Sequence, residues 1–242
     1  MIESVFPEDI AFITHVQKKA EHQTRGYFLS DFYSSWEISL ARFALERNKL
    51  SFEEWGGYKQ ALKKRLIGYK SNFNRSLFHI SCYMFKPSNF IAYHSKGAVF
   101  NALTAHGVKP DKVGDILTTS DAYFVFLDNE LQIPSIYDVE IIETKDIPSE
   151  MAGKPKEDIT GTVPSLRLDA ILAVAFKPSR NKIQGLIENG GAMVNYRYSM
   201  KPSKELVEGN IVSLRGFPRF KLSESGDETK KGRIRVRLEF VD

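Results

Sequence analysis

The spacing of apolar residues changes along the chain, and each change predicts a different kind of element. From Pro7-Glu8-Asp9 to Ala20, and again from Phe32 to Leu45, apolar residues recur at mostly helical spacing. Ser51-Phe-Glu-Glu54 has the form of a capping box, in which the Ser51 hydroxyl accepts from the Glu54 amide and the Glu54 carboxylate reaches back. Gly56-Gly57 interrupts that helix early, and Tyr58 to Leu66 resumes it with Lys63, Lys64 and Arg65 on a solvated face. Residues 1–72 are therefore expected to be a helical N-terminal region.

From Leu77 to Ile142 strand-like and helical stretches alternate, with "LFHISCYMF", "AVFNALTAHGV", "AYFVFLD" and "YDVEIIET" the clearest. That order predicts a small α+β module of ferredoxin- or RRM-like type over residues 73–145. Its aromatic strand, Tyr123 to Phe126, has two readings: rings on a sheet face that stack bases, or core packing. Pro148, Gly153, Pro155 and Gly161 fall among charges and mark residues 146–161 as a linker.

Residues 162–242 are the most legible. Ser165 can cap a helix whose apolar positions Leu168, Ile171, Leu172 and Ala175 share one face. Pro178 closes it. Ser179 caps the next helix, with Ile183, Leu186 and Ile187 on its core face and Gly190-Gly191 as a left-handed stop. Strand "AMVNY", a turn at Glu208-Gly-Asn210 and strand "IVSLRG" follow. In the final "GRIRVRLEF", Ile234, Val236 and Leu238 alternate with Arg233, Arg235 and Arg237, so period two places the three arginines on one face.

Composition changes this picture little: 242 residues, 42% hydrophobic and 26% charged, suit one large or two to three small domains. No stretch approaches the roughly 18 consecutive apolar residues of a membrane span, and Met1 to Ala20 lacks a secretory pattern, so a cytoplasmic location without membrane partners is expected. Cys82 is the single cysteine; it can form neither an internal disulfide nor a CxxC pair, which fits a reducing compartment.

Charge changes it more. Residues 162–242 hold 15 lysines and arginines against 9 acids, a net +6, whereas the remainder holds 19 against 21, a net −2. Basic surface attracts polyanions without naming one. Arg167 follows Ser165, and Arg180 and Lys182 follow Ser179, so cations sit at two predicted helix starts where the dipole favours anions. A phosphate there would reverse the sign, because free amides, dipole and guanidinium would all attract it. The alternative is that these are solvated side chains, or that Arg167 pairs with Asp169. With Lys201, Arg215, Arg219, Lys221 and the arginine strand added, a polyanion site with strongly salt-dependent affinity is the preferred reading.

The stretch "RLDAILAVAFKPSRNKIQGLIENGGAMVN", followed by "KPSKELVEGNIVSLRG", resembles an S4 RNA-binding domain. The ending "GFPRFKLSESGDETKKGRIRVRLEF", with "GVKPDKVGDIL" and "GGYKQALKKR" upstream, resembles the YlmH-type S4 proteins over nearly the whole chain. Asn210, Lys96-Gly97-Ala98, Asn101 and Leu62 depart from that family's pattern. The resemblance implies that Arg167, Ser179, Arg180, Lys182 and Lys201 bind structured RNA. It also implies ribosomal RNA or tRNA on a large ribosomal subunit as partner, and a link to ribosome quality control and cell division.

S4 domains also accompany pseudouridine synthases and tyrosyl-tRNA synthetases, so an RNA-modifying enzyme is one alternative function and a cell-division interaction protein another. The chain has no Walker A loop, GxGxxG, HExxH or GxSxG, and His15, His22, His79, His94 and His106 lack ligand spacing. Asp115 and Asp121 are the carboxylates in question, and a helix or turn cap explains Asp115 as well as a base does. A binding protein without catalysis, metal or small-molecule cofactor is expected.

Overall fold

The alternation of Ile234, Val236 and Leu238 with arginines makes Ile234–Phe240 a strand with one apolar face, and the C-terminal part of the chain assembles on that face. A computed structural model describes residues 6–23, 26–88, 93, 95–148, 157–177 and 179–241. In chain order the elements are α1 (Pro7–Glu21), β1 (Tyr27–Leu29), α2 (Ser35–Ala44), β2 (Ser51–Trp55), β3 (Arg65–Tyr69), β4 (Ile80–Pro87), α3 (Lys96–Ala105), β5 (Val113–Thr118) and β6 (Tyr123–Asp128). They continue with β7 (Val139–Thr144), β8 (Ile159–Val163), α4 (Leu168–Phe176), α5 (Arg180–Glu188), β9 (Ala192–Val194), β10 (Arg197–Tyr198), β11 (Ile211–Leu214), β12 (Phe220–Glu228) and β13 (Ile234–Phe240). Among the described residues the strand pairings are antiparallel, and the protein is α+β.

Packing divides the chain into two units: Met1–Glu21, Ser35–Asn48 and Pro155–Asp242 form the first, His22–Ser34 and Lys49–Lys154 the second. These lines differ from the compositional boundaries at 72, 145 and 161, because residues 1–72 contribute to both units. Of the expected linker, residues 149–156 lie outside the described residues, while 159–161 belong to β8, which pairs with β13.

In the first unit a six-stranded sheet runs in the order β10-β9-β11-β12-β13-β8. Leu168, Ile171 and Leu172 of α4, Ile183 and Ile187 of α5, and Leu214, Leu222 and Leu238 of the sheet are all buried in one cluster. Each such aliphatic side chain stabilises the fold by about 1.5–3 kcal/mol. α1 and α2 belong to this unit as well: Trp36 and Leu40 of α2 pack with Met193 of β9, and the Ser39 hydroxyl meets that of Ser213 at 2.8 Å.

The second unit holds a three-stranded sheet, β1-β3-β2, and a four-stranded sheet, β5-β6-β4-β7. Residues 51–55 and 65–69 are strands here, which corrects the expected capping-box helix and its continuation. Short helical periodicity loses to cross-strand pairing because Leu66 and Ile67 are both fully buried only when the two faces of β3 are covered. Gly57 is no helix breaker: its φ of +102° requires glycine, and a Cβ there would sit 2.2 Å from the Phe126 ring. Arg65 is not solvated either. It is 3% exposed, donating Nε to the Ser30 carbonyl (2.8 Å) and Nη1 to the Phe78 and His79 carbonyls (3.0 Å each), with Asp128 3.3 Å from Nη2. Every residue of β6 is buried, so Tyr123, Phe124 and Phe126 are core and present no base-stacking face.

Candidate nucleic-acid interface

The two helix starts singled out by their cations are built differently. At α4 the residue before the helix is Arg167, in extended conformation (φ −72°, ψ 144°) and without a side-chain cap. Ser165 therefore does not cap this helix. The amides of Leu168 and Asp169 donate instead to the carbonyl oxygens of Lys204 (2.8 Å) and Pro202 (3.0 Å), which satisfies two of the helix's unpaired donors.

Arg167 Nε and Nη2 donate to Asp169 Oδ1 (3.1 Å) and Oδ2 (2.8 Å), a two-point guanidinium–carboxylate pair. Asp169 is fully buried and also accepts from Gln184 Nε2 of α5 at 3.2 Å. Burial pushes its carboxyl up, but the hydrogen bonds from Arg167 and Gln184 outweigh burial and hold it below the usual carboxylate range. The first turn of α4 thus carries an acid where the dipole favours one, and Arg167 neutralises it. The expected clash between Arg167 and the dipole is absent, although the Arg167 side chain remains 36% exposed.

At α5 the pattern is kept. The Ser179 hydroxyl accepts the Lys182 amide at 3.4 Å, no acid lies in the first turn, and Asn181 and Lys182 are exposed. Arg180 opens the helix; its side chain and Pro178 lie outside the described residues. The exposed Lys201 begins the turn that caps α4, its carbonyl accepting the Lys204 amide at 3.0 Å. Arg167, Lys201 and Lys204 therefore gather at the start of α4, and Gln184 ties α5 to the same place through Asp169. Lys204 was not among the residues named from sequence. Only the "KPSK" run signalled it, and that run does not reveal that its carbonyl meets a helix start.

The other basic positions do not join this edge. Arg219 is 1% exposed and unavailable at the surface. Arg215 lies over the rings of Phe6 (4.1 Å) and Trp36 (5.3 Å), with Nη2 2.5 Å from the buried Asp9 carboxylate and Nη1 3.4 Å from Glu8. Asp9 also accepts from Trp36 Nε1 and the Tyr198 hydroxyl, both at 3.2 Å; burial first, then the Asp9 charge, push the Tyr198 hydroxyl above its ordinary value. Lys221 stands opposite Glu239 in the β12–β13 register. On β13, Arg237 pairs with Asp158 (2.6 Å) and Glu224 (3.1 Å), and just before the strand Arg233 donates to the Thr162 carbonyl at 2.6 Å. Arg235 is exposed and lines, with Thr160 and Thr162, a groove of about 790 Å³ on the outer face of β8, β12 and β13.

Both carboxylates considered as bases have local hydrogen-bond partners. Asp115 accepts from the Tyr58 hydroxyl (2.7 Å) and the amides of Leu62 (2.7 Å) and Lys63 (3.1 Å), holding a turn, and Asp121 accepts from the Thr119 hydroxyl at 2.9 Å. Among the described residues no three His, Cys, Asp or Glu side chains gather as a metal cage, and no helix is long and apolar enough to cross a membrane.

Antiparallel sheets, the α4–α5 pair and the cations gathered at the start of α4 define an α+β protein with a basic edge on its C-terminal part. The chain is 30% identical over 196 residues to "Ribosome-associated protein quality control protein P2" of Bacillus subtilis (strain 168), covering 76% of each chain, and it belongs to the YlmH-type family. No family model matches it. A solved structure of "Cell division protein ylmH from Streptococcus pneumoniae" is similar at a TM-score of 0.47 and 18% identity, over 58% of this chain and 93% of that one.

Proposed function

We propose that this protein is a ribosome-associated factor of the cytoplasm that docks on structured RNA through the edge formed by α4, α5 and the turn at 201–204. Its RNA is ribosomal RNA or tRNA of the large subunit, and its role is in ribosome quality control. The observation that carries this reading is the acid-free start of α5. Ser179 caps it, Lys182 is exposed on it, and the turn bearing Lys201 lies against the neighbouring helix start. The relative's name, a ribosome-associated quality control protein, supplies the assembly. A phosphate at α5 would meet unpaired amides, the positive end of the dipole and a lysine together. Arg180, Arg235 and Lys221 extend the reading to further phosphates. Arg219 is left out because it is buried, Arg215 because its guanidinium is ion-paired with Asp9 and Glu8, and Arg233 and Arg237 because they are held by Thr162 and by Asp158 and Glu224.

The test is binding of the full chain to large-subunit ribosomal RNA and to tRNA, with Lys182→Glu and Lys201→Glu combined. Affinity is expected to fall by about tenfold or more at moderate salt. Unchanged affinity for both RNAs would remove the α4–α5 edge as the docking surface. Arg167→Glu is the wrong variant, because it would leave the buried Asp169 without its partner and confound folding with binding.

A further inference from the structure

The three-stranded sheet of the second unit carries aromatic rings that its core does not finish covering. Tyr27 of β1 is paired with Tyr69 of β3, and Leu29 with Ile67, so period two sets Tyr27 and Tyr69 on the same face as the buried Leu29 and Ile67. Trp55 of β2, opposite Arg65, falls on that face as well. Phe78 closes the floor at 2% exposure, whereas Tyr27, Trp55, Tyr69 and Phe73 are only half-buried around it. Phe73 stacks on Tyr69 with ring centres 5.3 Å apart at 24°, and it is braced edge-on by Phe78.

The loop above these rings is cationic. Between Tyr69 and His79 the sequence has Lys70 and Arg75 and no acid. Residues 70–72 and 74–76 are all exposed, and Asn72 takes a left-handed turn (φ 45°) that sends the loop back over the sheet. Arg75 lies 4.4 Å above the Trp55 ring. His79 is held by the Tyr27 hydroxyl at 3.2 Å on one ring nitrogen, with Glu130 3.6 Å from the other. Glu53, exposed and opposite Ile67, is the acid that shares this face, and Glu130 stands beside His79, so the cationic side of the patch is the 70–75 loop.

We propose that this face is a second RNA contact, one that takes unpaired nucleotides. The aromatic rings and the Arg75 plane supply stacking surfaces, and Lys70 and Arg75 supply charge for the backbone phosphates. Bases in a duplex hide their faces in the stack, so rings presented beside lysine and arginine select single-stranded segments. The observations lie wholly in the second unit, so the inference extends the α4–α5 reading without depending on it.

The test is a titration of the full chain with an unstructured uridine or adenosine oligonucleotide, read by tryptophan fluorescence and by anisotropy of a labelled end. Binding is expected to quench emission, and Trp55→Phe should abolish the quench, since Trp36 is buried. Lys70→Glu combined with Arg75→Glu should weaken oligonucleotide affinity about tenfold and flatten its salt dependence, as removal of two phosphate contacts does. Phe73→Leu, which keeps the site apolar but removes the ring, should weaken it less. The Lys182→Glu, Lys201→Glu variant should keep the quench even where it has lost structured RNA, so that the two readings fail separately. No quench in the unaltered protein, or equal oligonucleotide affinity after the Lys70 and Arg75 changes, would overturn the inference. Equal affinity together with a protein partner lost on the same changes would reassign the face to protein docking.

Discussion

The starts of α4 and α5 look alike in sequence and differ in the fold. Both place a cation just after a serine, yet at α4 the cation belongs to a buried carboxylate and the first amides belong to the carbonyls of Pro202 and Lys204. At α5 a single long bond to Ser179 meets one amide, no acid intervenes, and Lys182 faces solvent. The lesson is that a cation at a helix start marks a ligand site only when the structure leaves both the charge and the amides unspent. One helix start is neutralised within the fold, the other carries an exposed lysine and no acid, which is why the proposed contact falls there, and the pair Asp169–Gln184 joins them.

The largest expected effect tests the structural half of this contrast. Asp169→Ala removes the acceptor for Arg167 and Gln184 and should lower unfolding stability by about 2 kcal/mol, read by urea denaturation. Because the folded carboxyl lies below its unfolded value, its contribution is complete above that unfolded value and is lost as pH falls through the folded one. The difference between the unaltered protein and Asp169→Ala should therefore shrink below about pH 4. A difference that holds constant in acid would mean that the carboxylate's charge is not what stabilises the end of α4.

Next in size is the effect on binding. The combined Lys182→Glu and Lys201→Glu change, about tenfold in RNA affinity or roughly 1.4 kcal/mol, should leave the urea midpoint in place. Each lost phosphate contact should also reduce the slope of log affinity against log salt by roughly 1. If the midpoint moves as far as it does for Asp169→Ala, the two helix ends are not divided between stability and binding. Smallest is Ser179→Ala, expected to cost about 0.5 kcal/mol because its hydrogen bond is long, with no dependence on pH since no titrating group is involved. A penalty matching that of Asp169→Ala would erase the contrast.

Legibility in the sequence followed the range of the interactions. The helix pair with its core positions Leu168, Ile171, Ile183 and Ile187, the stop at Gly190-Gly191 and the alternating last strand were all readable, because period and capping chemistry are local. From Ser51 to Leu66 the polar spacing imitates a capping box, while the pairing of β2 with β3 decides the conformation. For the candidate edge the sequence points to Ser179, Lys182 and Lys201 and gives no sign of Lys204, and its run of cations includes Arg219 and Arg215, of which one is buried and the other is held by Asp9.

By itself the sequence determined that this is an α+β chain with a basic C-terminal third, a capped helix pair and an alternating arginine strand, and its motifs pointed to the YlmH-type family. Only the tertiary structure decided which cations are spent. Arg65 is drawn onto Asp128 and Arg215 onto Asp9, buried acids far away in the sequence, whereas the pairing of Arg167 with Asp169 two residues on is a local alternative that the fold selects by burying the acid. Charge is a property of composition, whereas availability depends on partners brought together from distant parts of the chain, and no local pattern encodes that meeting.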